Sequence, residues 1–151
     1  MFESFLLNPA KRGLEATAEA LFPVNAIGAP DYRTTDLVGR TLAYWEELPA
    51  PQRRLLMLLY VLVEWGAPLL GAGWGRFSTL PVAQREAAVR RFRGSRITLL
   101  RIVGDALKAT TTILYMSHPA ALAYIGAPSG GTRGNIVGLG LGRPSEKAVV
   151  P

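Results

Sequence analysis

Histidine and cysteine, the residues most often used for acid–base and nucleophilic catalysis, are scarce in this sequence. The chain has 151 residues with one histidine and no cysteine, which excludes thiolate nucleophiles, zinc–thiolate sites and iron–sulfur clusters. His118 stands directly before Pro119 at a predicted helix start, which is more typical of a structural role or a partner contact than of catalysis. Glu64 lies inside an apolar run. A cofactor-free enzyme that uses Glu64 or His118 is therefore one hypothesis.

Neither a metal site nor a nucleotide-binding loop is indicated. The 11 acidic residues are spread over several predicted helices, and carboxylates would have to supply nearly every metal ligand. Two glycine runs, residues 71–76 and 138–143, have arginine where the dinucleotide-binding spacing requires a third glycine. We therefore predict a turn at the first run and an extended segment at the second. No cofactor is expected to bind to this chain.

The strongest charge feature is an arginine cluster, which comprises Arg85, Arg90, Arg91, Arg93 and Arg96. The net charge of +6 fits an acidic partner, nucleic acid or an anionic membrane surface. The cluster could contact phosphates, form a solvated helix face partly paired with Glu86, or bind a partner's carboxylates. A basic helical domain that binds nucleic acid is the alternative function. Our leading hypothesis is a chain that binds another protein, and under it we expect no nucleic-acid partner.

Helical spacing predicts the elements that position these side chains. Hydrophobic residues are 49% and charged residues 19% of the chain, so we expect it to fold around a core. Asn8 and Pro9 are predicted to begin helix one, Thr34 or Thr35 to cap helix two, and Ser95 to cap helix five. The sequence predicts an all-α protein, a compact bundle of five or six helices with an extended Gly-rich C-terminal tail. The predicted helices cover about residues 9–22, 35–48, 51–65, 81–94, 95–117 and 119–125.

The third predicted helix is apolar nearly all round, which is typical of a helix covered on most sides. We expect it at the centre of the core. The apolar stretch 55–70 contains Glu64 and is too short to cross a bilayer, so a buried helix is favoured over a membrane span. A loop pinned by aromatic side chains is expected between helices three and four.

Composition changes at residue 127, which divides the chain into a helical domain, 1–126, and a Gly-rich tail, 127–151. The tail has no core of its own, yet it is more apolar than a solubilising linker requires. We predict that it wraps a partner as far as about residue 143, or is disordered at its end. The residues predicted to contact a partner lie in loops, at a helix end and in this tail: Trp74, Phe77, His118, Tyr124, Arg133, Ile136, Leu139 and Leu141.

The order and spacing of several short motifs resemble the gluconate 2-dehydrogenase subunit 3 family over roughly residues 10–128. The motifs are, in chain order, Leu21-Phe22-Pro23, Phe77, Leu80, Arg85-Glu86, Ser95, Leu99-Leu100-Arg101, Leu107-Lys108, Tyr115, His118-Pro119 and Ile125-Gly126.

The resemblance implies a non-catalytic small subunit of a larger flavoprotein. Members of that family accompany an oxidoreductase of the glucose–methanol–choline type, whose large subunit holds FAD and oxidises an alcohol or a sugar. The small subunit would stabilise, mature or cap that enzyme in a hetero-oligomer. Many members carry a twin-arginine export leader, which this sequence lacks, so we expect a cytoplasmic complex. Ala127-Pro128 stands where the family often has tyrosine.

Overall fold

Six α-helices and one 3-10 turn make up the part of the chain that the structure, a computed structural model, describes: residues 2–66 and 75–126. No β-strand occurs within these ranges, so the all-α prediction is confirmed. The predicted tail lies outside them. The elements are α1 (Phe2–Leu21), α2 (Leu37–Glu47), α3 (Ala50–Gly66), the 3-10 turn (Phe77–Thr79), α4 (Val82–Arg93), α5 (Thr98–Met116) and α6 (Pro119–Tyr124).

Helix α1 starts earlier than the sequence indicated. It begins at Phe2 and contains Pro9, so the prediction that Asn8 and Pro9 begin the helix was wrong. Pro9 has no backbone N–H to donate, which weakens the helix at this point. Leu6, however, is buried one turn before Ala10 and two turns before Leu14. Burial of Leu6 stabilises the additional turns.

The two predicted helix caps were wrong, because the N-cap residue is Asp36 in α2 and Ile97 in α5, and neither helix has a side-chain cap. Helix α2 follows Asp36, which has a positive φ of 44°, while the Thr35 hydroxyl donates to the Asp31 carbonyl at 3.0 Å. Helix α5 begins at Thr98, after Ile97. The Ser95 hydroxyl accepts a hydrogen bond from the Ile97 backbone N–H at 3.1 Å and so stabilises the turn before the helix.

The main core lies where α1 packs against α3 and α4. The 3-10 turn that contains Phe77 packs against α1 and α3, and Phe92 of α4 lies against Gly66 of α3 and Gly104 of α5. The predicted loop pinned by an aromatic side chain is thus confirmed for Phe77. The largest fully buried apolar side chains are Trp45, Tyr60, Phe77, Phe92, Leu14, Leu37, Leu107 and Val63.

A smaller cluster holds α6 and the end of α5. The rings of Phe22 and Tyr115 stack with centroids 3.9 Å apart, and the Tyr115 hydroxyl donates to the Pro30 carbonyl at 2.6 Å. Gly126, at φ 70°, follows α6, as the sequence predicted. Within the described ranges no helix is both long and apolar enough to span a bilayer.

Gly13 sets the distance between α1 and α3. A Cβ atom at this position would overlap the Tyr60 carbonyl oxygen and lie 3.2 Å from its carbon. We expect Gly13→Ala to lower the free energy of unfolding by about 2 kcal/mol, because the rigid backbone of α3 must move. Urea unfolding measures this. Gly66→Ala is the control, since its Cβ would meet Phe92 at an ordinary 3.4 Å; equal stability of the two variants would contradict the prediction.

Tyr60 is expected to make the fold sensitive to alkali. Burial raises its pKa to about 12 from an ordinary value of 10.0. Because the unfolded chain releases this proton first, the stabilisation is complete below pH 10 and is lost as pH rises towards 12. The loss should reach about 2 kcal/mol, and Tyr60→Phe should abolish that part of the pH dependence. Urea unfolding between pH 9 and 11.5 tests this, with Tyr44→Phe, on an exposed ring, as control. If the free energies of unfolding of Tyr60→Phe and Tyr44→Phe fell equally with rising pH, the prediction would be wrong.

Candidate partner-binding surface

The outer face of α3 is apolar and open to solvent. Leu55, Leu58, Leu62 and Trp65 recur at spacings of three and four, so they lie in one stripe. Their exposed fractions range from 38 to 68%. The opposite face, with Met57, Tyr60, Val63 and Glu64, is buried. The prediction that α3 is covered on most sides was therefore correct for its inner face and wrong for its outer face.

Helix α5 adds a second apolar stripe beside the first. Leu99, Ile102 and Ile113 are 58 to 68% exposed, and Ala106 lies between them on the same side of the helix. The two helices run antiparallel. Tyr60 contacts Thr110 across the pair at 3.4 Å, whereas Gly66 and Gly104 both lie against Phe92.

A groove of about 340 Å³ separates the two stripes. We call it the α3–α5 groove; five leucines between Leu55 and Leu62 line it on α3, and Leu99, Ile102, Val103 and Ala106 line it on α5. A second apolar hollow, of about 160 Å³, adjoins it at Leu56 and extends to Tyr44 and Ile113. A single exposed leucine is common on a protein surface, but a continuous apolar face on two helices is typical of a binding site.

Three of the loop and helix-end residues that the sequence favoured lie in the described part of the chain, and none of the three lines the α3–α5 groove. Phe77 is fully buried in the main core, so the prediction that its ring contacts a partner was wrong. His118 is half-buried, and its Nδ1 accepts a hydrogen bond from the Ala120 backbone N–H at 3.1 Å, which caps α6. Tyr124 is exposed at the end of α6. The other predicted contact residues lie outside the described residues: Trp74, Arg133, Ile136, Leu139 and Leu141.

The two candidate acid–base residues both have structural roles. The buried carboxyl group of Glu64 accepts hydrogen bonds from Ser78, from its backbone N–H at 3.0 Å and from its hydroxyl at 2.6 Å. Glu64 thus fixes the 3-10 turn, while His118 caps a helix. Among the residues that the structure describes, no cluster of three His, Asp or Glu side chains could hold a metal ion.

Much of the arginine cluster is paired within the fold. Arg85 is mostly buried and donates to Glu19 at 2.6 Å and to the Leu80 carbonyl at 2.7 Å. Arg90 contacts Glu86 at 2.6 Å, which confirms the predicted pairing with that residue. A further pair, at 3.0 Å, joins Arg93 to Asp105 of α5. Each of these three arginines therefore has an acidic partner within the fold.

Comparisons with protein-family models, with curated proteins and with solved structures find no match. The geometry of the α3–α5 groove is therefore the main basis for a functional proposal.

Proposed function

We propose that this chain is a non-catalytic small subunit that binds a larger FAD-dependent alcohol or sugar oxidoreductase of the glucose–methanol–choline type and stabilises, matures or caps it. The exposed apolar face of α3 and α5 supports a partner-binding role. The motif resemblance supports the class of partner. FAD and the catalytic residues would belong to the large subunit, and the complex would be cytoplasmic.

The size of the apolar face fits a lasting association. Complete burial of a leucine or isoleucine side chain contributes about 1.5–3 kcal/mol. Several such side chains of α3 and α5 are more than one-third exposed in this chain. Their burial would favour a stable complex, and permanent interfaces are more hydrophobic than transient ones.

Purification of the tagged full chain from its native host tests the proposal. The expected result is an equimolar second polypeptide whose visible absorbance shows bound flavin. A colourless monomer without a second polypeptide would overturn the proposal. A partner without flavin would contradict the class of enzyme while leaving a partner-binding role.

A further inference from the structure

The lining of the α3–α5 groove restricts the backbone conformation of whatever binds there. Leucine, isoleucine, valine and alanine side chains form the entire lining. They offer no hydrogen-bond donor or acceptor. An extended peptide would bury backbone N–H and C=O groups without partners, which is strongly unfavourable. An α-helix satisfies these groups internally and can place a purely apolar stripe in the groove.

The dimensions of the groove match two turns of such a helix. Leu55 and Leu62 are seven residues apart, as are Leu99 and Ala106, and each pair spans about 10 Å at the helical rise per residue. A bound helix would cover this length with apolar side chains at positions i, i+3 or i+4, and i+7. Residues 136–142 of this chain fit poorly because glycine occupies positions 138, 140 and 142.

Arginines stand near both ends of the groove. Arg54, at the N-terminal end of α3, is exposed and directly precedes Leu55 of the lining. Arg76 lies over the Trp65 ring, 4.6 Å from its centroid, at the C-terminal end of α3. Arg96 is exposed just before α5. Because α3 and α5 run antiparallel, Arg76 and Arg96 lie towards the same end. A second copy of this chain would bring the same arginines and another net charge of +6, whereas an acidic helix would be attracted.

We infer that the α3–α5 groove binds one amphipathic helix of the partner, with apolar side chains at i, i+3 or i+4, and i+7 and with acidic residues flanking that stripe, some of them facing Arg76 and Arg96. This inference deepens the proposed function, since it names the partner segment that the same surface recognises. The partner helix would complete a three-helix layer with α3 and α5.

Site-specific photocross-linking in the native host tests this inference. Benzoyl-phenylalanine replaces Leu55 or Ile102 in the groove, or Ile27 in the exposed loop after α1 as control, and mass spectrometry identifies the cross-linked segment. The groove positions should cross-link to one partner segment that has the apolar spacing and the flanking acidic residues given above. Cross-links to a second copy, to residues 127–151 or to a non-helical segment would overturn the inference, as would an absence of groove cross-links.

The outcomes separate this inference from the proposed function. An acidic amphipathic helix from a protein without flavin would support the inference and contradict the flavoprotein partner. A flavoprotein that co-purifies but cross-links only outside the groove would support the flavoprotein partner and contradict the inference about the groove.

The charge component has its own test on the purified complex. Arg76→Glu combined with Arg96→Glu should weaken binding about ten-fold at low salt and flatten its salt dependence. The control, Lys11→Glu with Arg12→Glu, makes the same change in net charge on the exposed side of α1. Equal weakening in both variants would contradict a specific acidic contact at the groove.

Discussion

Replacing Leu55 and Ile102 together by glutamate is expected to abolish co-purification of the partner while the chain remains folded. Both side chains are more than half exposed, so the free energy of unfolding should change by no more than about 0.5 kcal/mol. In the complex, however, each glutamate would bury an unpaired charge, which costs about 3–5 kcal/mol. Two such charges should weaken binding at least about a thousand-fold.

The matched control for this experiment is Val24→Glu combined with Ile27→Glu. These apolar side chains are also largely exposed, but they lie in the loop after α1 rather than in the groove. The control should retain the partner at the parental ratio. Two measurements decide the outcome: the amount of partner that co-purifies, and urea unfolding of each variant alone.

Different results would point to different errors. If the groove variant retained its partner, the docking surface would lie elsewhere. If it unfolded at a much lower urea concentration, the groove would be part of the monomer's own core. If both double variants lost the partner, added negative charge rather than the groove would be responsible.

The sequence of α3 shows why the docking surface could not be predicted directly. From residue 55 to 63 the helix contains no charged side chain, and such a pattern indicates that most of its circumference avoids water. It does not distinguish coverage by the same chain from coverage by a partner. That distinction depends on how α3 and α5 pack, which leaves Leu58 and Leu62 exposed but buries Tyr60 and Val63.

The helices whose ends the sequence predicted well are bounded by proline or glycine. Pro119 and Gly126 bound α6 within a residue or two, and Gly94 separates α4 from α5. Predictions from local sequence were wrong where tertiary contacts oppose the local conformational preference. At Pro9 the burial of Leu6 extends α1 through a residue that usually begins or breaks a helix.

Residues with distant partners were the least predictable part of the candidate site. Phe77 lies in a Gly-rich segment and was expected at an interface, yet it fills the main core. Its position depends on the hydrogen bonds between Ser78 and Glu64, residues 14 positions apart, and no periodic pattern encodes that pairing. The sequence could show that Glu64 is unusual for its surroundings but not which residue it contacts.

The contact between Glu64 and Ser78 leads to the second large prediction. Glu64→Ala should lower the free energy of unfolding by about 3 kcal/mol, because two hydrogen bonds are lost and a backbone donor near the core is left without its partner. Glu64→Gln should cost less, since its amide oxygen can still accept from one of the two donors. Ser78→Ala should cost about 1 kcal/mol, because only the hydroxyl bond is removed.

Urea unfolding of the three variants and of the double variant Glu64→Ala with Ser78→Ala checks this prediction. The effects should not add, since the serine hydroxyl has no carboxyl partner once Glu64 is replaced. A loss below 1 kcal/mol for Glu64→Ala would show that this contact does not hold the turn. Partner binding by the folded fraction of Glu64→Gln should equal that of the parent chain, because Glu64 faces the core and the α3–α5 groove lies on the opposite face of α3. A Glu64→Gln variant that folded normally but lost a measurable enzymatic activity would instead indicate that this carboxyl group has a chemical role.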